Sequence, residues 1–292
     1  MTTDRHYRSS PTPDFILQDL VHKALQEDLG RAGDLTTQAV IAENIVTSGS
    51  IVARKPGVIA GLPLAERAFK ALAPDTIFES YQHDGDRVEA NSTIAKITAP
   101  AKALLSAERV ALNFLGHLSG IATYTRAFVD AIQTTQAQIC DTRKTTPGLR
   151  TLEKYAVHMG GGCNHRFGLD DAAMIKDNHI ALAGGLERAI TRAKTNLGHM
   201  VKIEVEVDTL EQLDLVLNFN IDAVLLDNMS AETLAEAVRR VKKRFITEAS
   251  GGVTLDNALH IAKSGVDLIS VGALTHSAPS LDVGLDFDLC TS

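Results

Sequence analysis

The sequence predicts an α/β protein in which a β-rich first part precedes an α/β barrel. Between Gly49 and about Thr98, short β-rich runs alternate with Lys-Pro-Gly and Asp-Gly-Asp turns, as in a mainly antiparallel sheet. After about Ala131, strand and helix patterns follow one another in turn, which is typical of parallel βαβ units. Candidate ends of successive strands lie about 22 residues apart, one βα unit each, at Glu206, Asp227, Ser250 and Gly272.

The first element is predicted to be a helix from Thr12 to Leu29. Thr12 is suited to cap the helix, Pro13 stands at its first position, and apolar residues recur at helical spacing behind them. Gly30 ends the helix.

The β-rich part contains three apolar runs that we interpret as strands, at Ser50–Ala53, Thr76–Glu79 and Ile94–Ile97. The stretch from Asp84 to Lys102 also resembles the hairpin of a biotinyl or lipoyl carrier, in which Lys102 would be the acylated lysine. Lys102 opens a long helical pattern instead of standing at a hairpin tip. We therefore favour a solvated lysine at the start of a helix.

The second part is predicted to contain at least six parallel strands joined by helices. A seventh strand is expected near Gly160–Phe167, so we favour an α/β barrel, incomplete in its closure, over an open doubly wound sheet. The predicted strands are Ala137–Cys140, Ala173–Ile175, Val201–Val207, Ala223–Leu226, Phe245–Thr247 and Leu268–Val271. The predicted helices are Leu149–Met159, Gly185–Leu197, Thr209–Leu217, Ala231–Val241 and Leu255–Ser264.

The composition argues against several classes of protein. The chain of 292 residues is 45% hydrophobic and 22% charged, which is close to the average of soluble globular proteins. A net charge of −7, only four Tyr and no Trp argue against a nucleic-acid partner. No apolar run is long enough for a membrane helix, and Met1–Ser10 lacks the pattern of a signal peptide. Cys140, Cys163 and Cys290 fit neither a disulfide framework nor a zinc site, so we expect a cytoplasmic protein.

Polar residues follow the predicted barrel strands at the end where barrel enzymes hold their active sites. Cations follow the early strands, carboxylates the middle strands and small residues the last ones. The last two loops contain glycine, and their backbone N–H groups are suited to bind phosphate. These residues are Asp141, Arg143, Lys144, His165, Arg166, Lys176, Asp177, Asn178, Glu206, Asp208, Asp227, Asn228, Glu248, Ser250, Gly251, Gly252 and Gly272.

This set of side chains suits a ligand with several negative charges and several hydroxyl groups. Arginine forks match carboxylates and phosphates, whereas carboxylates accept hydrogen bonds from ribose hydroxyls and help to hold Mg²⁺. A sugar phosphate is therefore the predicted substrate, and a phosphoribosyl-transferring or aldol-type barrel enzyme is the predicted class.

The same side chains also have simpler, purely structural interpretations. Arg143 and Lys144 could lie in a solvated loop, and His165 could be a structural histidine. Lys176 is either a contact for phosphate or carboxylate, or a Schiff-base nucleophile. The carboxylates could merely pair with these cations.

Two sequence blocks carry a resemblance to a known family. Asp-Thr-Arg-Lys-Thr-Thr-Pro-Gly-Leu at 141–149 and Ile-Lys-Asp-Asn-His at 175–179 resemble, in order and spacing, the quinolinate phosphoribosyltransferases, also called nicotinate-nucleotide pyrophosphorylases (carboxylating). Further segments that resemble the same family include Gly160–Arg166, Leu226–Asn228 and Gly272–Ser277. The resemblance covers nearly the whole chain from about Pro13.

The resemblance implies an N-terminal α/β sandwich domain at 1–114 and an incomplete, seven-stranded α/β barrel at 115–275. It also implies that the tail 276–292 packs back on the first domain and that the chain forms a homodimer. Members of this family transfer a phosphoribosyl group from phosphoribosyl pyrophosphate to quinolinate in de novo NAD biosynthesis. They release pyrophosphate and CO₂, form nicotinate mononucleotide and use Mg²⁺.

By position in the matching motifs, the resemblance also implies roles for single residues. Arg143, His165, Arg166 and Lys176 would line the quinolinate pocket, and Arg109 would reach in from the partner subunit. Lys144, Lys176, Glu206 and Asp227 would be catalytic, and Mg²⁺ would be held mainly through the substrate, with Glu206 and Asp227 as candidate ligands. The donor would be bound by Lys144, Glu206, Asp227, Ser250, Gly251 and Gly272, and Thr142, Gly252, Val271 and Ala273 would be further substrate-binding residues.

Other functions keep some weight at this point. A relative that acts on nicotinate alone, or a molybdenum-transport-associated paralogue, would keep the phosphate loops but need fewer cations. Arg109, Arg143 and Arg166 together favour a dicarboxylate. A Schiff-base aldolase that uses Lys176, and a carrier protein modified on Lys102, are the alternatives from other classes.

Overall fold

The computed structural model describes residues 14–287. The predicted cap at Thr12 and Pro13, and Cys290, lie outside the described residues. The described helices are α1 Asp14–Leu29, α2 Leu35–Val40, α3 Leu62–Leu72, α4 Ala101–Ala131, α5 Arg150–Met159, α6 Asp177–Ala183, α7 Leu186–Asn196, α8 Leu210–Val216, α9 Ala231–Val241, α10 Leu255–Ala262 and α11 Ala273–His276. The described strands are β1 Val46–Ala53, β2 Gly57–Val58, β3 Ile77–Ser80, β4 Arg87–Val88, β5 Thr93–Pro100, β6 Gln138–Cys140, β7 Ala172–Ile175, β8 Lys202–Val207, β9 Ala223–Asp227, β10 Ile246–Ser250, β11 Leu268–Ser270 and β12 Val283–Phe287.

The described chain divides into two compact units. The first contains residues 14–123, 151–160 and 278–287, and the second contains Tyr124–Arg150 and Gly161–Ser277. Helix α4 has 31 residues and runs without a break through the predicted domain boundary at 114/115. The division falls within this helix, between Thr123 and Tyr124, and the helix has buried apolar side chains on both sides of position 114. None of the described helices is long and apolar enough to span a membrane.

The first unit is built on an antiparallel sheet in the order β12-β1-β5-β3. The predicted strands of the β-rich part correspond to β1, β3 and β5. Helix α3 was not predicted, because Gly61 and Pro63 mark a turn in the sequence and hide the short amphipathic pattern behind them. Lys102 lies in the first turn of α4 and pairs with Glu43, which accounts for it as a helix-start lysine.

Segments from distant parts of the chain complete the first unit. Strand β12 pairs with β1 in antiparallel register, with Leu285 opposite Ile51. Helix α5 is joined to this unit by Tyr155, whose hydroxyl donates to Asp84 at 2.7 Å. Asp84 also accepts from the N–H of Gly61 at 2.9 Å, at the start of α3. Burial of this carboxyl raises its pKa above the ordinary value.

The second unit is a parallel sheet in the order β6-β11-β10-β9-β8-β7. Cys163 adds a single parallel bridge to Cys140 on the other side of β6, in the segment where a seventh strand was predicted. The first strand is therefore adjacent to the last, as in a barrel, and no described pairing joins Cys163 to β7. This arrangement confirms the predicted incomplete α/β barrel and excludes the open doubly wound sheet.

Capping residues begin the helices a few residues after the strands end. Thr209 and Ser230 accept hydrogen bonds from backbone N–H groups in the first turns of α8 and α9, respectively. Thr254 and Asn257 form a capping box at the start of α10. The loops between β8, β9, β10 and their helices are therefore short, and the residues that end each strand are held in place.

Gly120 in α4 is expected to tolerate no side chain. An added Cβ would lie 2.2 Å from the carbonyl oxygen of Pro279. Gly→Ala inside a helix usually stabilises by about 1 kcal/mol, but here we expect Gly120→Ala to destabilise by about 1–3 kcal/mol because the backbone must move. Denaturant unfolding measures the difference, with Gly198→Ala as the control because an added Cβ there meets nothing within 4 Å. Equal stability of the two variants would contradict this packing.

Candidate active site

A cavity of about 760 Å³ lies at the carboxyl ends of the parallel strands in the second unit. Its volume suits a small-molecule ligand. All the residues to which the resemblance gives a role line it, except Arg109, which lies exposed on α4. Of the other polar residues predicted at the strand ends, Asp141, Asp177, Asn178 and Asp208 are absent from the lining. The predicted residues that line the cavity are Thr142, Arg143, Lys144, His165, Arg166, Lys176, Glu206, Asp227, Ser250, Gly251, Gly252, Val271, Gly272 and Ala273.

One part of the cavity carries two neighbouring guanidinium groups, of Arg143 and Arg166. The Nε atoms of both are buried and have no hydrogen-bond partner among the described residues. Arg166 Nη1 donates to the carbonyl of Ala172 at 2.9 Å, and this hydrogen bond fixes the position of the side chain. Burial, and then the charge of Arg143, lower the pKa of Arg166. An anion placed between the two groups would offset both effects.

A lysine–carboxylate pair stands on the neighbouring strands. Lys176 follows β7, and its ammonium contacts the carboxylate of Glu206, a residue of β8. The pair is suited to contact a charged ligand.

Glycine-containing loops form another part of the cavity lining. Gly251 and Gly252 have φ angles of 95° and 60°, which an L side chain rarely adopts. A Cβ added to Gly272 would lie 2.9 Å from Cδ of Lys144, so the lysine stem passes directly over this glycine. Thr275 Oγ1 donates to the carbonyl of Lys144 at 2.8 Å and fixes the loop. Glycine backbone and a lysine side chain thus lie together here, which suits the binding of a phosphate.

His165 is held by hydrogen bonds on both ring nitrogens. The N–H of Arg166 donates to Nδ1 at 2.7 Å, which places the ring proton on Nε2, and Nε2 faces Glu204 Oε2 at 2.9 Å. The backbone N–H of His165 donates to Asp141 at 2.9 Å. Glu248 Oε1 lies 3.6 Å from Nε2 and has no hydrogen-bond partner among the described residues.

This cluster of His165, Glu204 and Glu248 has the composition of a metal site. Its ligating atoms lie within 4.8 Å of one another. A metal would need the lone pair of His165 Nε2, but the hydrogen bond from Arg166 to Nδ1 leaves the proton on Nε2. We therefore interpret the cluster as a hydrogen-bonded support beneath the cavity.

Glu248 is 1% exposed. Burial, and then the nearby charge of Glu204, raise its pKa to about 7, although His165 opposes the shift. Glu248 is therefore largely protonated below neutral pH. The thiols of Cys140 and Cys163 are both free.

Comparison with known proteins decides the family. The sequence model for "Quinolinate phosphoribosyl transferase, C-terminal domain" matches residues 121–286, and the model for the N-terminal domain of the same family matches residues 34–119. The chain belongs to the quinolinate phosphoribosyl transferase family. The resemblance predicted from the Asp-Thr-Arg-Lys-Thr and Ile-Lys-Asp-Asn-His blocks is confirmed.

Individual relatives agree with this assignment. A probable nicotinate-nucleotide pyrophosphorylase (carboxylating) of Bacillus subtilis is 45% identical over 273 residues, which cover 94% of this chain and 94% of that relative. The nicotinate-nucleotide pyrophosphorylase (carboxylating) of Mycobacterium leprae is 47% identical over 279 residues, covering 92% and 96%. The structure of the nicotinate-nucleotide pyrophosphorylase from Francisella tularensis superposes with a TM-score of 0.92 at 38% identity, covering 96% of this chain and 98% of that one.

As a member of the quinolinate phosphoribosyl transferase family, the chain is a phosphoribosyltransferase. The carrier-protein and aldolase alternatives are therefore wrong. The structure agrees locally, because Lys102 and Lys176 are each paired with a glutamate.

Some residues that line the cavity were not predicted from the sequence. Met174, Leu225 and Ser270 lie inside strands, and the alternation of inward and outward positions along each strand is the signal that would have found them. Val253 and His276 also line the cavity, and His276 belongs to a matching motif that predicted no role for it. Asn228 and Glu248 were predicted at the strand ends, but without a role.

The raised pKa of Glu248 predicts a pH-dependent stability. Its folded-state pKa of about 7 exceeds the ordinary value of 4.5, so the folded protein binds this proton more tightly than the unfolded chain does. The stabilisation is complete below pH 4.5 and is lost as the pH rises to about 7. The amide of Glu248→Gln does not titrate in this range of pH. The free energy of unfolding of this variant should therefore fall less over the range than that of the parent protein.

Denaturant titrations at several pH values test this, with exposed Glu187→Gln as the matched control. The control should keep the pH dependence of the parent protein. An unchanged pH dependence in Glu248→Gln would show that the buried carboxyl does not titrate there.

Proposed function

We propose that this chain transfers the phosphoribosyl group of phosphoribosyl pyrophosphate to quinolinate with decarboxylation, forming nicotinate mononucleotide, pyrophosphate and CO₂ on the route to NAD. The observation that carries this is the pair Arg143 and Arg166, whose buried Nε atoms have no partner among the described residues. Two adjacent cations of this kind suit a dicarboxylate better than a monocarboxylate. Membership of the family supports the same reaction.

The two parts of the cavity take the two substrates. Arg143, Arg166 and Lys176 bind the carboxylates of quinolinate, and His165 lies beside them with its ring fixed. The glycine loops and Lys144 bind the phosphate groups of the donor. Glu206 and Asp227 stand between the two parts, where the ribose lies.

The chain's residues then position the reacting atoms. The lone pair of the pyridine nitrogen forms the bond to the anomeric carbon while the bond from that carbon to pyrophosphate breaks. Glu206 and Asp227 stabilise the positive character that develops on the sugar, and Lys144 offsets the charge of the leaving pyrophosphate. The attacking nitrogen carries no proton, so no general base is needed, and orientation supplies much of the rate.

Decarboxylation follows from the charge on the ring. The alkylated nitrogen is cationic, so it stabilises the electron pair left on the adjacent carbon when CO₂ departs. That carbon then takes up a proton, which balances the reaction. The Nε atoms of Arg143 and Arg166 are buried, and a dehydrated pocket around the departing carboxylate would help CO₂ to leave.

The donor set at the centre of the cavity fits Mg²⁺. Glu206 and Asp227 supply hard carboxylate oxygens on neighbouring strands, and this ion is usually held by one or two carboxylates together with substrate phosphates. When bound, Mg²⁺ offsets the negative charge of the pyrophosphate group.

We also propose that the chain forms a homodimer and that it is cytoplasmic. Arg109 lies exposed on α4 and is absent from the lining of the chain's own cavity, which supports its reaching the cavity of a partner in a homodimer. Two adjacent free thiols, at Cys140 and Cys163, support a reducing compartment and hence the cytoplasm.

Product analysis tests the reaction. The protein is incubated with phosphoribosyl pyrophosphate, Mg²⁺ and either quinolinate or nicotinate, and nicotinate mononucleotide and CO₂ are followed together. We expect both products from quinolinate only. Turnover of nicotinate without CO₂ would move the chain to a nicotinate-specific relative, and silence with both substrates would overturn the proposal.

Arg143→Ala should weaken the use of quinolinate. The loss of one of two neighbouring guanidinium groups is expected to raise the KM for quinolinate or lower turnover at least tenfold, about 1.4 kcal/mol. Steady-state kinetics measure this, with exposed Arg192→Ala on α7 as the control for the loss of a charge near the barrel. Near-normal kinetics of Arg143→Ala would remove this arginine from the quinolinate site.

Mixed dimers test the proposed role of Arg109. Arg109→Ala and Arg166→Ala should each be inactive alone, but a dimer with one chain of each kind contains one complete site. After subunit exchange at equal amounts, about a quarter of the parent activity should return, because half the dimers are mixed and half their sites are complete. If no activity returns in verified mixed dimers, each site is built within one chain.

A further inference from the structure

We infer that Asn228 is a positioning residue that holds the carboxylate of Asp227 and the phosphate loop 250–252 in one arrangement. The inference rests on the proposed function, because it concerns the binding of the phosphoribosyl donor. It assigns a role to a residue that lines the cavity but to which sequence analysis gave none.

Asn228 is bonded to both partners. Its side-chain Nδ2 donates to Asp227 Oδ2 at 2.7 Å, and its backbone N–H donates to the carbonyl of Ser250 at 2.9 Å. Asp227 and Ser250 are themselves the last paired residues of β9 and β10. The contact of Asn228 therefore extends the ladder between these strands by one residue, into the cavity.

The side chain of Asn228 also shapes the glycine loop. A Cβ added to Gly251 would lie 2.0 Å from Oδ1 of Asn228 and 2.6 Å from its Cγ. Gly251 therefore lies against the asparagine amide. The direction of the backbone N–H groups in this loop depends on where that amide stands.

The backbone of Asn228 is held in a conformation that few residues adopt. Its φ angle is 53°, in the left-handed region. Asparagine tolerates this region better than most side chains do, and its short amide can reach the preceding carboxylate. Four other non-glycine residues with positive φ are described, Asn44, Asn91, Lys242 and Lys243, and none of them lines the cavity.

Through these contacts, the side chain of Asn228 acts on both the Asp227 carboxylate and the phosphate loop. With Oδ2 of Asp227 held by the amide, the carboxylate has a defined direction toward the ribose hydroxyls. The same amide sets the loop that binds the donor phosphate. Losing it should therefore weaken the use of phosphoribosyl pyrophosphate more than the use of quinolinate, whose cations lie in the other part of the cavity.

Two substitutions separate the amide from the backbone conformation. Asn228→Gly accepts the positive φ without strain but has no donor for Asp227. Asn228→Asp keeps the size of the side chain, but a carboxylate cannot donate and repels Asp227. Asn91→Gly is the matched control, since it removes another asparagine of positive φ, 66°, far along the sequence from the barrel strands.

Steady-state kinetics with both substrates, donor affinity by calorimetry and thermal unfolding are measured on the full-length protein. For Asn228→Gly we expect at least a tenfold lower kcat/KM for phosphoribosyl pyrophosphate, an equally weakened donor affinity, a KM for quinolinate within about twofold of the parent and little change in Tm. Asn228→Asp should lose more than Asn228→Gly, and Asn91→Gly should keep parent kinetics.

Parent-like donor kinetics and affinity in Asn228→Gly would overturn the inference. So would an equal loss for both substrates together with a lower Tm, because that pattern indicates a purely structural role. If the parent protein binds the donor but does not convert quinolinate, the proposed function fails, and the comparison of donor affinities still decides the role of Asn228.

Discussion

The arrangement of the active site depends on keeping two positive charges close together in a partly dehydrated cavity. Burial, and then the nearby charge of Arg143, lower the pKa of Arg166, so the charged form of this guanidinium is disfavoured there. Carboxylates lie behind them. Asp141 accepts from the backbone of His165, and Glu204 accepts from its ring, so the segment that carries Arg166 is fixed from below. Two guanidinium groups held this close together favour an anionic ligand in the cavity.

Parallel strand pairing places the remaining groups. Because β7, β8 and β9 are neighbours in one sheet, the residues at or after their carboxyl ends meet at a single edge although they are far apart in the chain. Lys176, Glu206 and Asp227 come together in this way. Capping residues then start each following helix almost at once, so the polar ends of the strands stay short and rigid.

The sequence was informative where a local pattern carries the signal. The strands of the barrel and most of its helices were predicted within a few residues, because each has a clear period and a turn or cap at its ends. Helix α3 was missed because turn residues interrupt its short pattern. The support of His165 was missed for another reason. Glu204 and Glu248 look like ordinary residues of a strand, and their proximity to His165 arises from pairings between strands that no local pattern encodes. The motifs predicted many of the residues that line the cavity, and only the fold showed which residues hold them in place.

The pairing of β12 with β1 has a consequence for how the chain folds during synthesis. Strand β1 ends at Ala53, and its outer neighbour ends at Phe287, so more than 200 residues are made before that edge can be covered. Helix α5 is likewise inserted into the first unit from the middle of the chain. The first unit therefore cannot be completed as it leaves the ribosome, and an uncovered strand edge persists until the barrel sequence has been translated.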